Sequence, residues 1–223
     1  MPGFWEVAAA NRVLVAILHT DLVSIAWAFG LRNLVIPGHV VGLAGMPYDM
    51  ARNMACMRAL EMGVEAVVML DSDVIAPQDT ILRLLAHNLP IVSGLYCRRS
   101  PPAAVPVMQK PVGHWVVDFK PGSMVEVDVV GSGCLLIRRE VLERLPPQRD
   151  GHHWFDWRVD CQHLWDQEKK QGLPPVSEDF AFCLWAKQHG FPVWVDTSVV
   201  CRHVGLAQAG YRSFDPCEAT SVT

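Results

Sequence analysis

The sequence predicts a single α/β domain with a mostly parallel central sheet flanked by helices. Three observations point there. Apolar runs of strand length recur along the first half, as in residues 12–18 and 64–70, and a continuous apolar run suits a strand buried on both faces. Helix-like segments separate these runs, which is the strand–helix–strand alternation of α/β chains. The chain has 223 residues, 51% of them hydrophobic and 19% charged, ample for one sizeable core and too apolar for a disordered polymer.

Taken in order, residues 12–18 are the first expected strand, 22–34 a helix and 39–44 the second strand. Residues 49–62 read as a helix in which Met50, Met54, Met57 and Glu61 share one stripe. Arg52 is placed on its polar side beside Asn53, and Gly63 supplies the stop. Residues 64–70 are a third buried strand. Residues 77–88 are a short helix with Ile81, Leu84, Leu85 and Leu89 on its apolar side, and 91–96 are the fourth strand. The second half changes character. Residues 98–122 are proline-rich and aperiodic, as expected of a long loop serving as a lid. Residues 125–130 alternate like a strand with one exposed face. Gly131-Ser132-Gly133 is a kink, 134–137 a strand and 140–145 a short helix. Ser177 caps a helix that Gly190 stops, and 191–196 are the last strand. The domain is expected to span residues 1–205, with 206–223 as a weakly patterned tail.

Composition excludes several classes. A net charge of −4 argues against a globally basic nucleic-acid binder, though not against a local basic groove. The 7 cysteines are odd in number, none is spaced Cys-x-x-Cys, and most sit in apolar runs. That reads as reduced core thiols of a cytoplasmic protein. The longest apolar stretch, residues 13–31, is interrupted by His19 and Asp21, so no transmembrane segment is expected. The N-terminus lacks the basic flank of a secretory signal.

Five constellations carry chemistry. Leu70-Asp71-Ser72-Asp73 ends a buried strand, where open α/β sheets bind ligands. Carboxylates there are hard oxygen ligands suited to Mg²⁺ or Mn²⁺ beside phosphates, or else two solvated acids in a turn. Ser177-Glu178-Asp179 opens a helix. Its acids either complement the helix dipole or present a general base. His203, just after the last strand, is a structural histidine or the completing member of a carboxylate site. Arginine outnumbers lysine, and the forks of Arg52, Arg98 and Arg99 suit a diphosphate. Trp154-Phe155-Asp156-Trp157 is either a stacking wall for a sugar or base, or plain packing.

The order of these pieces resembles the GT-A nucleotide-sugar glycosyltransferases, in particular small bacterial or phage members of the family-two-like kind. An apolar strand ending in Leu-Asp-Ser-Asp follows the Ala51-Arg52-Asn53 helix. Then come Val-Val-Gly-Ser-Gly-Cys-Leu-Leu-Ile, Ser-Glu-Asp-Phe opening a helix, and His203 after Val-Asp-Thr-Ser-Val. The resemblance implies a Rossmann-like GT-A domain over residues 12–205. It also implies that Asp71 and Asp73 are the family's Asp-x-Asp, with Asp73 on the metal and Asp71 on the ribose or metal shell. His203 matches the C-terminal metal-binding histidine. Asp179, with Glu178 beside it, matches the acidic residue that serves as catalytic base. Thr20 and Asp21, in the loop after the first strand, match the nucleotide-base contact region. Arg52, Ser72 and the Gly131-Ser132-Gly133 kink border the donor, whose sugar a missing side chain lets approach closely.

The implied activity is metal-dependent transfer of a sugar from a nucleoside-diphosphate sugar, UDP-sugar favoured, to an acceptor hydroxyl. Mn²⁺ or Mg²⁺ is the implied cofactor, Asp179 the base, and inversion the expected outcome. The acceptor is a glycan or a modified DNA. For hydroxymethylated DNA bases, Arg98, Arg99, Arg138 and Arg139 would track phosphates and the Trp154 cluster would hold a flipped base. A nucleotidyltransferase and a non-catalytic nucleotide-sugar-binding module are the competing readings. The first is disfavoured because no Gly-rich phosphate loop follows the first strand.

Overall fold

Strand β1 (Val13–Leu18) is buried at every position, and both of its neighbours lie parallel to it. These are β2 (Gly38–Leu43) and β3 (Ala66–Asp71). The computed structural model describes residues 12–20, 22–98, 105–147, 154–156 and 177–204. Asp21, Arg99, Trp157, Cys161, Cys217 and the expected 206–223 tail lie outside the described residues. The central sheet has seven strands in the order β2-β1-β3-β9-β5-β10-β7. Strands β5 (Ile91–Leu95) and β10 (Val193–Val200) run parallel to each other. Strand β9 (Cys134–Arg138) lies antiparallel between β3 and β5, and β7 (Met124–Val127) is antiparallel to β10 at the edge. Five strands therefore share one direction and two oppose it. The two-residue strands β4 (Val74–Ile75), β6 (Met108–Gln109), β8 (Val129–Val130) and β11 (Arg202–His203) form two small ribbons, β4–β11 and β6–β8.

Alternation along each strand feeds two cores. Leu14, Ala16, Val67, Met69, Leu135 and Ile137 point to one face; Val13, Val15, Val68, Leu70 and Leu136 point to the other. Helices α2 (Tyr48–Met62), α4 (Arg139–Arg144) and α5 (Glu178–Gln188) cover the first face. Helices α1 (Ile25–Asn33) and α3 (Thr80–Ala86) cover the second. Truncating one of these fully buried aliphatics to alanine costs about 2–5 kcal/mol in cores of this density.

Several expectations are corrected here. The methionine stripe of α2 faces solvent: Met50, Met54 and Met57 are exposed, while Ala51, Arg52, Ala55, Cys56 and Ala59 face the sheet. Small side chains let this helix lie close to β1 and β3, so the stripe that looked apolar is not the packed one. Arg52 is therefore on the buried side, not the polar one. The 98–122 excursion is not structureless over its described part. Residues 105–122 hold β6, a bridge between Cys97 and Pro106, and one between Gln109 and Trp115. The expected 125–130 strand breaks at Asp128, whose N–H turns to the Gln109 carbonyl and whose carboxylate takes Lys187. Trp154 and Phe155 are packing: Phe155 is fully buried and stacks on Phe182 at 4.5 Å. Arg138 and Arg139 bond to Leu85 O, Leu60 O, Glu65 and Glu143. They sit where β9 meets Ala66, at the sheet end opposite Asp71. The described cysteines are free and buried, and burial pushes the Cys183 thiol up to about 12. No helix among the described residues is long and apolar enough to cross a membrane.

Asp196 gives the fold an acid-sensitive pin. Burial works against its ionised form, but hydrogen bonds from Ser198 and His87 outweigh that and hold its carboxyl below the usual range. A carboxyl lowered in the folded state adds stability above its unfolded value and loses it as pH falls through the folded one. Asp196→Asn should therefore unfold at lower urea than wild type at pH 7. The two midpoints should converge as pH drops below about 4, the ordinary aspartate value.

Candidate active site

The last residues of β3 and β10 and the first of β9 lie at the same end of the sheet. There the Asp71-Ser72-Asp73 turn is pinned by backbone hydrogen bonds and by the Trp27 indole N–H, which donates to Asp71 O at 3.1 Å. The Asp71 N–H donates to Gly133 O at 3.1 Å, the Ser72 N–H to Leu18 O at 3.0 Å, and the Val204 N–H to Asp73 O at 2.6 Å. The β4–β11 ribbon, pairing His203 with Val74, carries the histidine to the turn. His203 Nε2 stands 3.4 Å from Asp73 Oδ1. Its other nitrogen, Nδ1, lies 2.7 Å from the Cys97 carbonyl. A carbonyl only accepts, so Nδ1 carries a proton, and in the neutral ring Nε2 turns its lone pair to Asp73. The Tyr96 ring meets the imidazole edge-on at 5.5 Å.

Asp71 turns elsewhere. Its Oδ1 is 3.4 Å from both Nη1 and Nη2 of Arg52, whose Nε is 3.3 Å from Glu178 Oε1. Burial alone would push the guanidinium toward losing its proton, but Asp71, Glu178 and Asp179 outweigh it and keep it charged. Burial raises the carboxyl of Asp71, with Arg52 opposing. Burial and the nearby Asp179 push Glu178 up to about 7, again against Arg52. Among the described residues no group of three His, Cys, Asp or Glu could hold an ion. The structure thus brings together two of the three expected metal ligands, Asp73 and His203, and gives the third to an arginine.

Asp179 sits in the first turn of α5. Its Oδ2 accepts from the Ser132 N–H at 3.3 Å, and its Oδ1 from the Phe180 N–H at 2.8 Å and from the Ser177 hydroxyl. Ser177 stands at the N-cap position, yet its hydroxyl serves this carboxylate instead of a helix N–H. The Ser132 hydroxyl is buried with no hydrogen-bond partner among the described residues, a cost of about 1–3 kcal/mol until one arrives. Thr20 lies exposed at the end of β1, its hydroxyl on Leu22 O at 3.1 Å.

Tyr96 was not singled out from sequence, and it organises the kink. Its hydroxyl accepts the Gly133 N–H at 2.8 Å. Burial, with Asp71 and Asp179 nearby, holds this phenol well above its usual value and so protonated. A Cβ on Gly131 would lie 2.2 Å from that oxygen, and one on Gly133 would lie 3.0 Å away. The glycines are needed to wrap the tyrosine. Arg98, expected as a fork for a diphosphate, has its guanidinium 5.1 Å from the centre of the Trp115 ring, which meets Phe180 at 6.3 Å.

The sequence matches no protein-family profile and no curated protein. Solved structures share its architecture. A197 from STIV superposes with a TM-score of 0.59 at 20% identity, over 86% of this chain and 85% of that one. GalNAc-T7, solved with UDP, GalNAc and Mn²⁺, superposes with a TM-score of 0.54 at 12% identity, over 93% of this chain and 46% of that one. The fold is GT-A-like. In this GT-A-like frame the Gly131 collision is testable. Gly131→Ala should lose about 1–3 kcal/mol, the usual cost of overpacking, read from urea unfolding. Adding Tyr96→Phe removes the colliding oxygen and should recover part of that loss.

Proposed function

We propose that the chain is a metal-dependent glycosyltransferase, moving a sugar from a nucleoside-diphosphate sugar to an acceptor hydroxyl with inversion. The observation that carries this reading is the pairing of His203 Nε2 with Asp73 Oδ1 at 3.4 Å, beside an Asp179 carboxylate fixed by the Ser132 N–H. The donor set fits a divalent cation. Oxygen and imidazole donors lying about 2.1 Å from one ion stand roughly this far apart. The imidazole is oriented through its second nitrogen, as metal-binding histidines are. Two protein donors leave room for diphosphate oxygens and water, the way Mg²⁺ and Mn²⁺ are held in phosphate chemistry. Bound there, Mn²⁺ or Mg²⁺ would supply Lewis-acid neutralisation of the leaving diphosphate.

The chain's own groups do the rest. Asp179 takes the proton from the acceptor hydroxyl as the new C–O bond forms. Its anchors on Ser132 and Phe180 hold it at the kink, which limits the entropy lost at the moment of reaction. Arg98, placed over the Trp115 ring, offers its fork to the diphosphate. Thr20 and Asp21 contact the base, and Ser72 and the 131–133 kink border the donor. UDP is the favoured nucleotide, supported by the UDP and Mn²⁺ present with GalNAc-T7.

A thermal-shift panel of nucleoside diphosphates with and without Mn²⁺ tests the reading. A binder at about 100 times its Kd should add roughly 2.7 kcal/mol, and Asp73→Ala or His203→Ala should abolish the metal-dependent part. No stabilisation by any nucleotide would overturn it. Asp179→Asn should keep that stabilisation yet lower nucleoside-diphosphate release by about 10²- to 10⁴-fold. Pyrophosphate as the product would mark a nucleotidyltransferase instead.

A further inference from the structure

We propose that Arg52 is a positioning residue, which locks the acidic turn after β3 and the first turn of α5 at one fixed separation; this rests on the transferase reading above. Its fork grips Asp71 Oδ1 through two nitrogens at 3.4 Å and Glu178 Oε1 through the third at 3.3 Å. Arg52 and Glu178 keep only 4% and 6% of their side-chain surface. The adjacent Asn53 ties down another stretch. Its Oδ1 accepts the Trp154 and Phe155 N–H groups at 3.0 Å, and its Nδ2 donates to Phe155 O at 2.6 Å.

One turn of α2 therefore joins three stretches far apart in sequence. Asp73 lies two residues beyond Asp71, and Asp179 one residue beyond Glu178. The two acids that Arg52 holds are thus the near neighbours of the two acids assigned to the chemistry. A diphosphate ligand role for Arg52 requires its removal from both carboxylates, which strands two charges in a poorly solvated place. The guanidinium faces inward and sets distance; it does not read the donor. A lysine, with one point charge and no fork, cannot hold both partners at these spacings.

Two measurements test this. The first is a urea-unfolding cycle on Arg52→Gln, Glu178→Gln and the double variant, which needs no turnover. The double variant should be more stable than the two single losses predict, because removing both partners leaves less charge unpaired. Strictly additive losses overturn the proposal. The second is steady-state transfer with Mn²⁺ and the nucleoside-diphosphate sugar that gives product. Arg52→Lys should lower kcat by about tenfold or more with the donor KM within about threefold, the signature of lost placement and not of lost binding. A raised KM with kcat intact would make Arg52 a donor ligand, and an unchanged kcat would make it a purely structural ion pair. Either result overturns the proposal. If wild-type protein turns over no sugar nucleotide, the transferase reading falls, and the unfolding cycle alone decides whether the clamp exists.

Discussion

A cation buried between acids is the constraint around which this molecule is arranged. Asp71, Asp73, Glu178 and Asp179 converge at one end of the sheet, and the Arg52 guanidinium is buried beside Asp71, Glu178 and Asp179. Like charges gathered in a poorly solvated place repel strongly, and each unpaired one is expensive. Arg52 offsets two of them from beneath. Of the remaining two, Asp73 lies 3.4 Å from the His203 imidazole, and Asp179 accepts backbone N–H groups and the Ser177 hydroxyl. The arrangement divides four acids into an inner pair bound to the arginine and an outer pair that is not.

The antiparallel strand β9 makes this division possible. Wedged between β3 and β5, it delivers Gly133 to the Asp71 N–H and Ser132 to the Asp179 carboxylate. An all-parallel sheet would have sent its loop to the far edge. Tyr96 then fills the hollow inside the kink and supports the imidazole from the side. The kink and the imidazole are thus both backed by one buried aromatic ring, the kind of support that fixes side-chain positions.

Much of the fold was legible in the sequence because it rests on local patterns. Continuous apolar runs such as residues 13–18 and 66–70 are strands buried on two faces, and Gly63, with φ of 70°, ends α2 as its position suggested. The register of α2 was not legible. Periodicity favoured its methionines, but close packing on the sheet selects small residues, and the alanine face wins together with Arg52. A buried arginine looks like a surface one until its partners are known, and those lie in β3 and α5. Tyr96 was missed for the same reason, since nothing local distinguishes it from a strand-end aromatic. The nearness of Asp73 and His203 was expected only through a family resemblance, because no spacing rule links residues in separate ribbons.

The two small strands that bring His203 to Asp73 have a consequence for biosynthesis. The acidic turn belongs to the first third of the polypeptide, whereas the imidazole arrives on nearly the last described ribbon. Strands β1, β2, β3, β5 and β9 all precede the histidine in the chain, so five neighbouring strands of the sheet can pair before the His203–Asp73 contact closes. The His203–Asp73 contact therefore closes onto a sheet that is already in place beneath it.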